Sequence, residues 1–116
     1  MHHRHKGKIL DRLKAPREMM LRNLAASIIM HEKVKTTEAK AKAVKPLVEK
    51  LITSAKAKDL NARRKLISVL PQSLAVLKAM DVLADRYQTR PGGYTRIIRL
   101  GNRVGDGASV VQIELV

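Results

Sequence analysis

Cysteine is absent and aromatic rings nearly so, with Tyr87 and Tyr94 the only two in 116 residues. Without cysteine there is no disulfide, no thiolate metal site and no cysteine nucleophile, and the chain suits a reducing compartment. Without a row of rings it cannot bind single strands by stacking bases on a sheet, which favours contacts to the phosphate and sugar backbone instead. No run approaches the roughly 18 apolar residues that a membrane span needs, so a soluble chain without a membrane partner is expected. Acids are also scarce. There are 10 Asp and Glu against 24 Lys and Arg, a formal charge of +14, and the pI is about 10.7. Such a balance describes partners rather than fold, and it points first to nucleic acid.

The charge is unevenly placed. Residues 1–65 carry 18 Lys and Arg against 6 Asp and Glu, and residues 66–116 carry 6 against 4. Residues 1–14 show no sustained period and hold one acid, Asp11, among Arg4, Lys6, Lys8, Arg12 and Lys14. They read as a basic arm that orders on a polyanion, ahead of a single domain over 15–116. The arm lacks the apolar core of a secretory signal and the Ser-rich extension of a mitochondrial presequence. His2, His3 and His5 suggest a copper or nickel site, but an unstructured arm offers no second shell to hold ligands, so no metal is expected.

Pro16 suits the first residue of a helix to about Met30, with Met20, Leu24 and Ile28 beside Leu21, Ala25 and Ile29 as its apolar stripe and Arg17 and Arg22 off it. His31-Glu32 lacks the second histidine of a zinc-protease helix. Residues 33–36 alternate as a short strand, and Thr37 can cap a second helix with Glu38 in its first turn. That helix should bury Ala41, Val44, Leu47, Val48, Leu51, Ile52 and Ala55, and Pro46 should kink or interrupt it. Lys40 and Lys42 have no acid after Glu38 to balance them, which favours anion contact. Asp59 can cap a short helix stopped by Pro71, with Leu60, Ile67 and Leu70 inward and Arg63-Arg64-Lys65 outward. Ser73 can cap a last helix that buries Val76, Leu77, Met80, Leu83, Ala84 and Tyr87.

Pro91-Gly92-Gly93 then breaks the chain, and a strand follows. Alternation sets Tyr94, Arg96, Ile98 and Leu100 on one face and Thr95, Ile97 and Arg99 on the other, so Arg96 can lay its stem on apolar neighbours and reach an anion. A glycine-rich loop over 101–108 leads to a closing strand with Val111, Ile113 and Leu115 on one face. The loop is no phosphate-binding P-loop, because no Lys-Ser or Lys-Thr pair follows it. The expected fold is α+β, a small mixed sheet of about three strands packed on about four helices behind the arm.

These residues resemble the bacterial-type large-subunit ribosomal protein seventeen family nearly end to end. The resemblance is carried by Arg22-Asn23-Leu24-Ala25, His31-Glu32-Lys33, Thr36-Thr37, Lys40-Ala41-Lys42, Glu49-Lys50-Leu51-Ile52, Asp59-Leu60, Ala62-Arg63-Arg64, Arg86-Tyr87, the run from Gly92 to Ile98, Gly105-Asp106-Gly107-Ala108 and Ile113-Glu114-Leu115-Val116. Departures fall mainly in the arm, where Asp11 stands in place of a usual asparagine. The resemblance implies a structural, non-enzymatic component of the large ribosomal subunit near the exit of the peptide tunnel. It would lie on large-subunit ribosomal RNA beside other large-subunit ribosomal proteins, with no small-molecule substrate and no cofactor. A cytoplasmic ribosome is the expected location, and an organellar one would read the same way. By similarity the arm threads into RNA through Arg4, Gly7, Lys8 and Arg12, and Arg17, Arg22, Lys40, Lys42, Arg63, Arg64 and Arg96 contact phosphate. Composition alone leaves a second reading open, a DNA-binding architectural protein, although a helix offering mainly cations anchors more than it specifies. An enzyme is disfavoured, because no nucleophile stands at a recognisable spacing from a base.

Overall fold

The computed structural model describes residues 14–116. The expected arm, with Arg4, Lys6, Lys8 and Arg12, lies outside the described residues, and Lys14 opens the first helix. Helix α1 (Lys14–His31) leads through Glu32 to strand β1 (Lys33–Thr37), helix α2 (Glu38–Ala55) and helix α3 (Leu60–Val69). A fourth rod follows, made of α4 (Ser73–Lys78), a π-helical turn (Ala79–Leu83) and α5 (Ala84–Arg86). Strands β2 (Thr95–Asn102) and β3 (Ser109–Leu115) close the chain. The fold is therefore α+β, as expected.

The sheet order is β1-β3-β2, with β3 antiparallel to both neighbours. It is antiparallel throughout rather than mixed, because the last strand inserts between the first and the second and keeps those two parallel-running strands apart. Along β3 the buried residues are Val111, Ile113 and Leu115, the alternation the sequence predicts. They meet Ala25, Ile28 and Ile29 of α1, and Val44, Val48, Leu51 and Ile52 of α2, in one core. Each of these side chains is essentially removed from water, and burying one aliphatic side chain contributes about 1.5–3 kcal/mol.

Local chemistry explains the boundaries. The Thr37 hydroxyl accepts from the Lys40 backbone N–H at 3.4 Å, and the Asp59 carboxylate accepts from the Ala62 N–H at 2.7 Å, so both predicted caps form. Pro16 stands third in α1, not first, at a position whose missing donor would still find no partner within the helix. Pro46 does not interrupt α2, which runs unbroken through it. The proline is exposed and the carbonyl it leaves unpaired belongs to exposed Lys42, where water can serve it.

Other expectations are corrected. Leu60 and Ile67 are about 60% exposed, whereas Ala62 and Leu66 are the inward stripe of α3 and Leu70 is buried just beyond its end. Ser73 is the first residue of α4 rather than its cap, a position taken by Gln72 without a side-chain bond. Leu77 faces outward, and Ala75 and Ala79 take the buried places beside Val76 and Met80. Tyr94 precedes β2 and is fully buried, so it does not share the outward face of Arg96, Ile98 and Leu100. Gly101 and Asn102 belong to β2 instead of the loop, and a bulge between Arg99 and Gly101 ends the simple alternation there. Gly101 has φ +121°, a conformation only glycine adopts without strain.

Candidate nucleic-acid interface

Two carboxylates, Glu49 and Glu32, tie distant parts of the chain together. Glu49, on α2, accepts from the backbone N–H of Tyr94 at 3.2 Å, the N–H of Thr95 at 2.9 Å and the Thr95 hydroxyl at 2.6 Å. It thereby fixes the point at which β2 begins. The Tyr94 hydroxyl lies 3.2 Å from that of Thr53 and accepts from Lys56 Nζ at 3.1 Å, and the same ammonium donates to the Arg90 carbonyl at 2.5 Å. The Tyr87 and Tyr94 rings meet with centroids 5.1 Å apart, and Tyr87 Oη donates to the Val116 carbonyl at 2.7 Å. The two aromatic residues of the chain are thus spent on the core.

Glu32 links α1 and β1 at a positive φ of 67°, an uncommon backbone state for a side-chain-bearing residue. Its carbonyl accepts from the Leu115 N–H at 2.8 Å, and its carboxylate accepts from Arg86 Nη1 at 2.5 Å and Nη2 at 3.0 Å. Lys78 Nζ lies 2.8 Å from the same carboxylate and donates to the Met30 carbonyl at 3.0 Å, satisfying an end group of α1. The hydrogen bond from Arg86, then that from Lys78, pulls the Glu32 carboxyl down to about 2.

Most other carboxylates are also engaged. Lys42 pairs with Glu38 at 3.3 Å one helical turn back, and Arg99 Nη2 reaches the same carboxylate at 3.3 Å. Lys42 is therefore balanced by Glu38 itself, contrary to the expectation that it stands without an acid, although it remains exposed. Arg96 donates to Glu114 through Nε at 2.9 Å and Nη2 at 2.7 Å. Lys58 pairs with Asp85, and Arg103 with Asp106 inside the turn that joins β2 to β3. The bonds from Arg103 and from the Ala108 N–H hold the Asp106 carboxyl at about 2.

Lys56 and Arg90 have no carboxylate partner among the described residues but donate to carbonyls and to the Tyr94 hydroxyl. What remains among the described residues is a set of cations with no salt bridge: Arg17, Arg22, Lys33, Lys35, Lys40, Lys45, Lys50, Arg63, Arg64 and Lys65. They do not form one patch. Arg17 and Arg22 lie half-buried along α1, Lys40 half-buried on the first turn of α2, and Lys33 and Lys35 exposed on β1. On α3, Arg64 and Lys65 are exposed, while Arg63 lines a cleft with Lys58, Asp59, Asp81 and Asp85. The run Arg63-Arg64-Lys65 is thus split, because adjacent helical residues point about 100° apart. Lys33 and Lys35 were passed over in the sequence, although their strict alternation with Val34 was a sign that both face outward.

An α+β body with most of its acids engaged within the fold and a surplus of cations left without acids has a charge distribution suited to a polyanionic partner. The family model for ribosomal protein L17 matches residues 20–116. The chain is 47% identical to the large ribosomal subunit protein bL17 of Syntrophotalea carbinolica over all of its own length and 75% of that protein's. It is 46% identical to the protein of the same name from Rickettsia typhi, covering 85% of it, and to that from Agrobacterium fabrum, covering 82%. The chain belongs to the ribosomal protein L17 family.

Proposed function

We propose that this chain is a structural component of the large ribosomal subunit, bound to large-subunit ribosomal RNA and to neighbouring ribosomal proteins near the exit of the peptide tunnel, in the cytoplasm. The observation that carries the reading is the division of charge. Glu32, Glu38, Glu49, Asp59, Asp85, Asp106 and Glu114 are all bonded within the fold, while the cations from Arg17 to Lys65 named above keep no acidic partner there. The relatives' name, large ribosomal subunit protein, supplies the particle. Arg17, Arg22, Lys40, Arg63, Arg64 and the arm residues Arg4, Lys6, Lys8, Arg12 and Lys14 are proposed to neutralise phosphates, and Lys42 and Arg96 to do so by leaving Glu38 and Glu114. The role is that of a scaffold rather than a catalyst.

Each phosphate neutralised releases condensed counterions, so affinity should fall with salt by about 0.7 to 0.9 logarithmic units per contact for each tenfold rise. The test is co-sedimentation of the tagged chain with ribosomal subunits from its own cells, before and after a high-salt wash. Retention in the large-subunit peak is expected, since an RNA surface matched in shape outlasts counterion release. Migration with bulk duplex DNA instead would overturn the proposal in favour of a DNA architectural protein.

A further inference from the structure

Among the described residues, the sheet face turned away from the helices carries exposed side chains, and the strand register sets them in rows. Lys33, Glu114 and Arg96 lie abreast across β1, β3 and β2, and Lys35, Gln112 and Ile98 form the next row. Strands lie about 4.8 Å apart and alternate residues about 7 Å apart along a strand, so the three cations start from a patch roughly 10 Å by 7 Å. All three are exposed. Glu114 is the one carboxylate in these two rows, and it is already shared between Arg96 and Gln112, whose Nε2 donates to it at 2.7 Å. Lys35 faces only an amide.

Lysines on an edge strand serve in many sheets to block pairing with another chain. Either sign of charge would do that, yet in these two rows the charged side chains on both edges are all cations and the lone acid sits on the central strand. With no ring on this face among the described residues, bases have nothing there to stack on, and three cations against one carboxylate complement a sugar-phosphate backbone.

We propose that the open sheet face is an RNA-backbone site, crossed by one strand from β1 to β2, with Lys33 and Lys35 on phosphates and Arg96 passing from Glu114 to a phosphate. The proposal rests on the ribosomal RNA reading above. In the free chain Glu114 holds the Arg96 guanidinium in place as an internal counter-ion, so binding exchanges one charge-assisted bond for another. Removing the Glu114 charge should therefore strengthen binding, a sign that a purely structural carboxylate would not give.

The experiment titrates the full chain with deproteinised large-subunit ribosomal RNA over a series of salt concentrations. Absence of salt-dependent binding by the unaltered chain would sink the ribosomal RNA reading itself. Given such binding, the double variant Lys33→Ala and Lys35→Ala should show a salt slope shallower by about 1.4 to 1.8, two contacts' worth. The double variant Lys33→Arg and Lys35→Arg should keep the original slope, which separates lost charge from lost folding. Glu114→Gln should bind more tightly at low salt while remaining folded. An unaltered slope in the double Ala variant would overturn the site, as would weaker binding by a folded Glu114→Gln. An unaltered slope together with loss from the large-subunit peak would assign the face to a protein partner resting on exposed Ile98 and Leu100.

Discussion

The start of β2 and the outward face of α3 both carry arginines within family-like motifs, yet they are built in opposite ways. Around Tyr94 and Thr95 every polar group finds a partner inside the chain: Glu49 takes three donors there, and Lys56 bridges the Tyr94 hydroxyl and the Arg90 carbonyl. On α3, Arg64 and Lys65 have no carboxylate among the described residues, and apolar Leu60 and Ile67 stand beside them in water. A motif's residues can thus be needed for folding or for contact, and hydrogen bonding separates the two. In the Arg90 to Leu100 stretch the tyrosine and threonine serve the fold, and the arginines Arg90, Arg96 and Arg99 are exposed.

The largest expected effect lies in the core that both regions share. Leu51 is 1% exposed and packed within the central cluster. Leu51→Ala should cost about 2–5 kcal/mol in chemical denaturation, from lost transfer energy and the cavity left behind. A loss below 1 kcal/mol would mean that the site collapses freely. Next comes Glu49→Ala, which strips the acceptor from two backbone donors and a nearly buried hydroxyl. It should cost about 3 kcal/mol, since each donor left without a partner costs about 1–3 kcal/mol and water can reach part of the site. Binding of the still-folded fraction to RNA should be unchanged. A variant of normal stability and weakened binding would instead make Glu49 part of the interface.

Much of this architecture was legible from residue pattern. Thr37 and Asp59 announce their helices because a cap is a local event, complete within three residues. The period of two in Val111, Ile113 and Leu115 gave the inner face of β3 because a half-covered sheet demands it. The inward face of α3 was misread because large side chains outweighed spacing: Leu60 and Ile67 are seven apart and share a stripe, but Ala62 and Leu66 lie opposite it and meet the core. The ties were not legible at all. Glu32 to Arg86 spans 54 residues and Glu49 to Thr95 spans 46, and no periodicity records a contact of that range. For the interface, charge imbalance named the class of partner. It could not say that Lys42, Arg96 and Arg99 are already paired while Lys33 and Lys35 are not.

A smaller effect should follow acidification. The Glu32 carboxyl moves from its usual 4.5 to about 2 on folding, held by Arg86 and then Lys78. Its contribution is therefore complete above about pH 4.5 and is lost as the pH falls toward 2. Because the side chain is about 38% exposed, solvent screening reduces that contribution well below what the shift alone implies. Thermal melts of Glu32→Gln and the unaltered chain should differ at pH 6 and converge by pH 2. A constant difference would show that the Arg86 and Lys78 contacts are not what the carboxylate contributes.

The smallest effect is expected on α3, where it separates an exposed stripe from a buried one. Ile67 is 58% exposed and Leu66, its neighbour, is fully buried. Ile67→Ser should change stability by no more than about 0.5 kcal/mol, the range for surface positions without special contacts, while Leu66→Ser should cost several kcal/mol by opening a cavity that holds an unpaired hydroxyl. The two sites differ by one position and by 100° around the helix, so propensity and sequence context are nearly shared, and the difference reports facing alone. If Ile67→Ser leaves stability intact but loosens the chain from ribosomal particles in a salt wash, then α3 presents its apolar stripe to a neighbour and Arg64 acts beside it. If it leaves both intact, the cations of α3 work without help from Leu60 and Ile67, and the stripe is ordinary exposed surface of the kind most folded proteins carry.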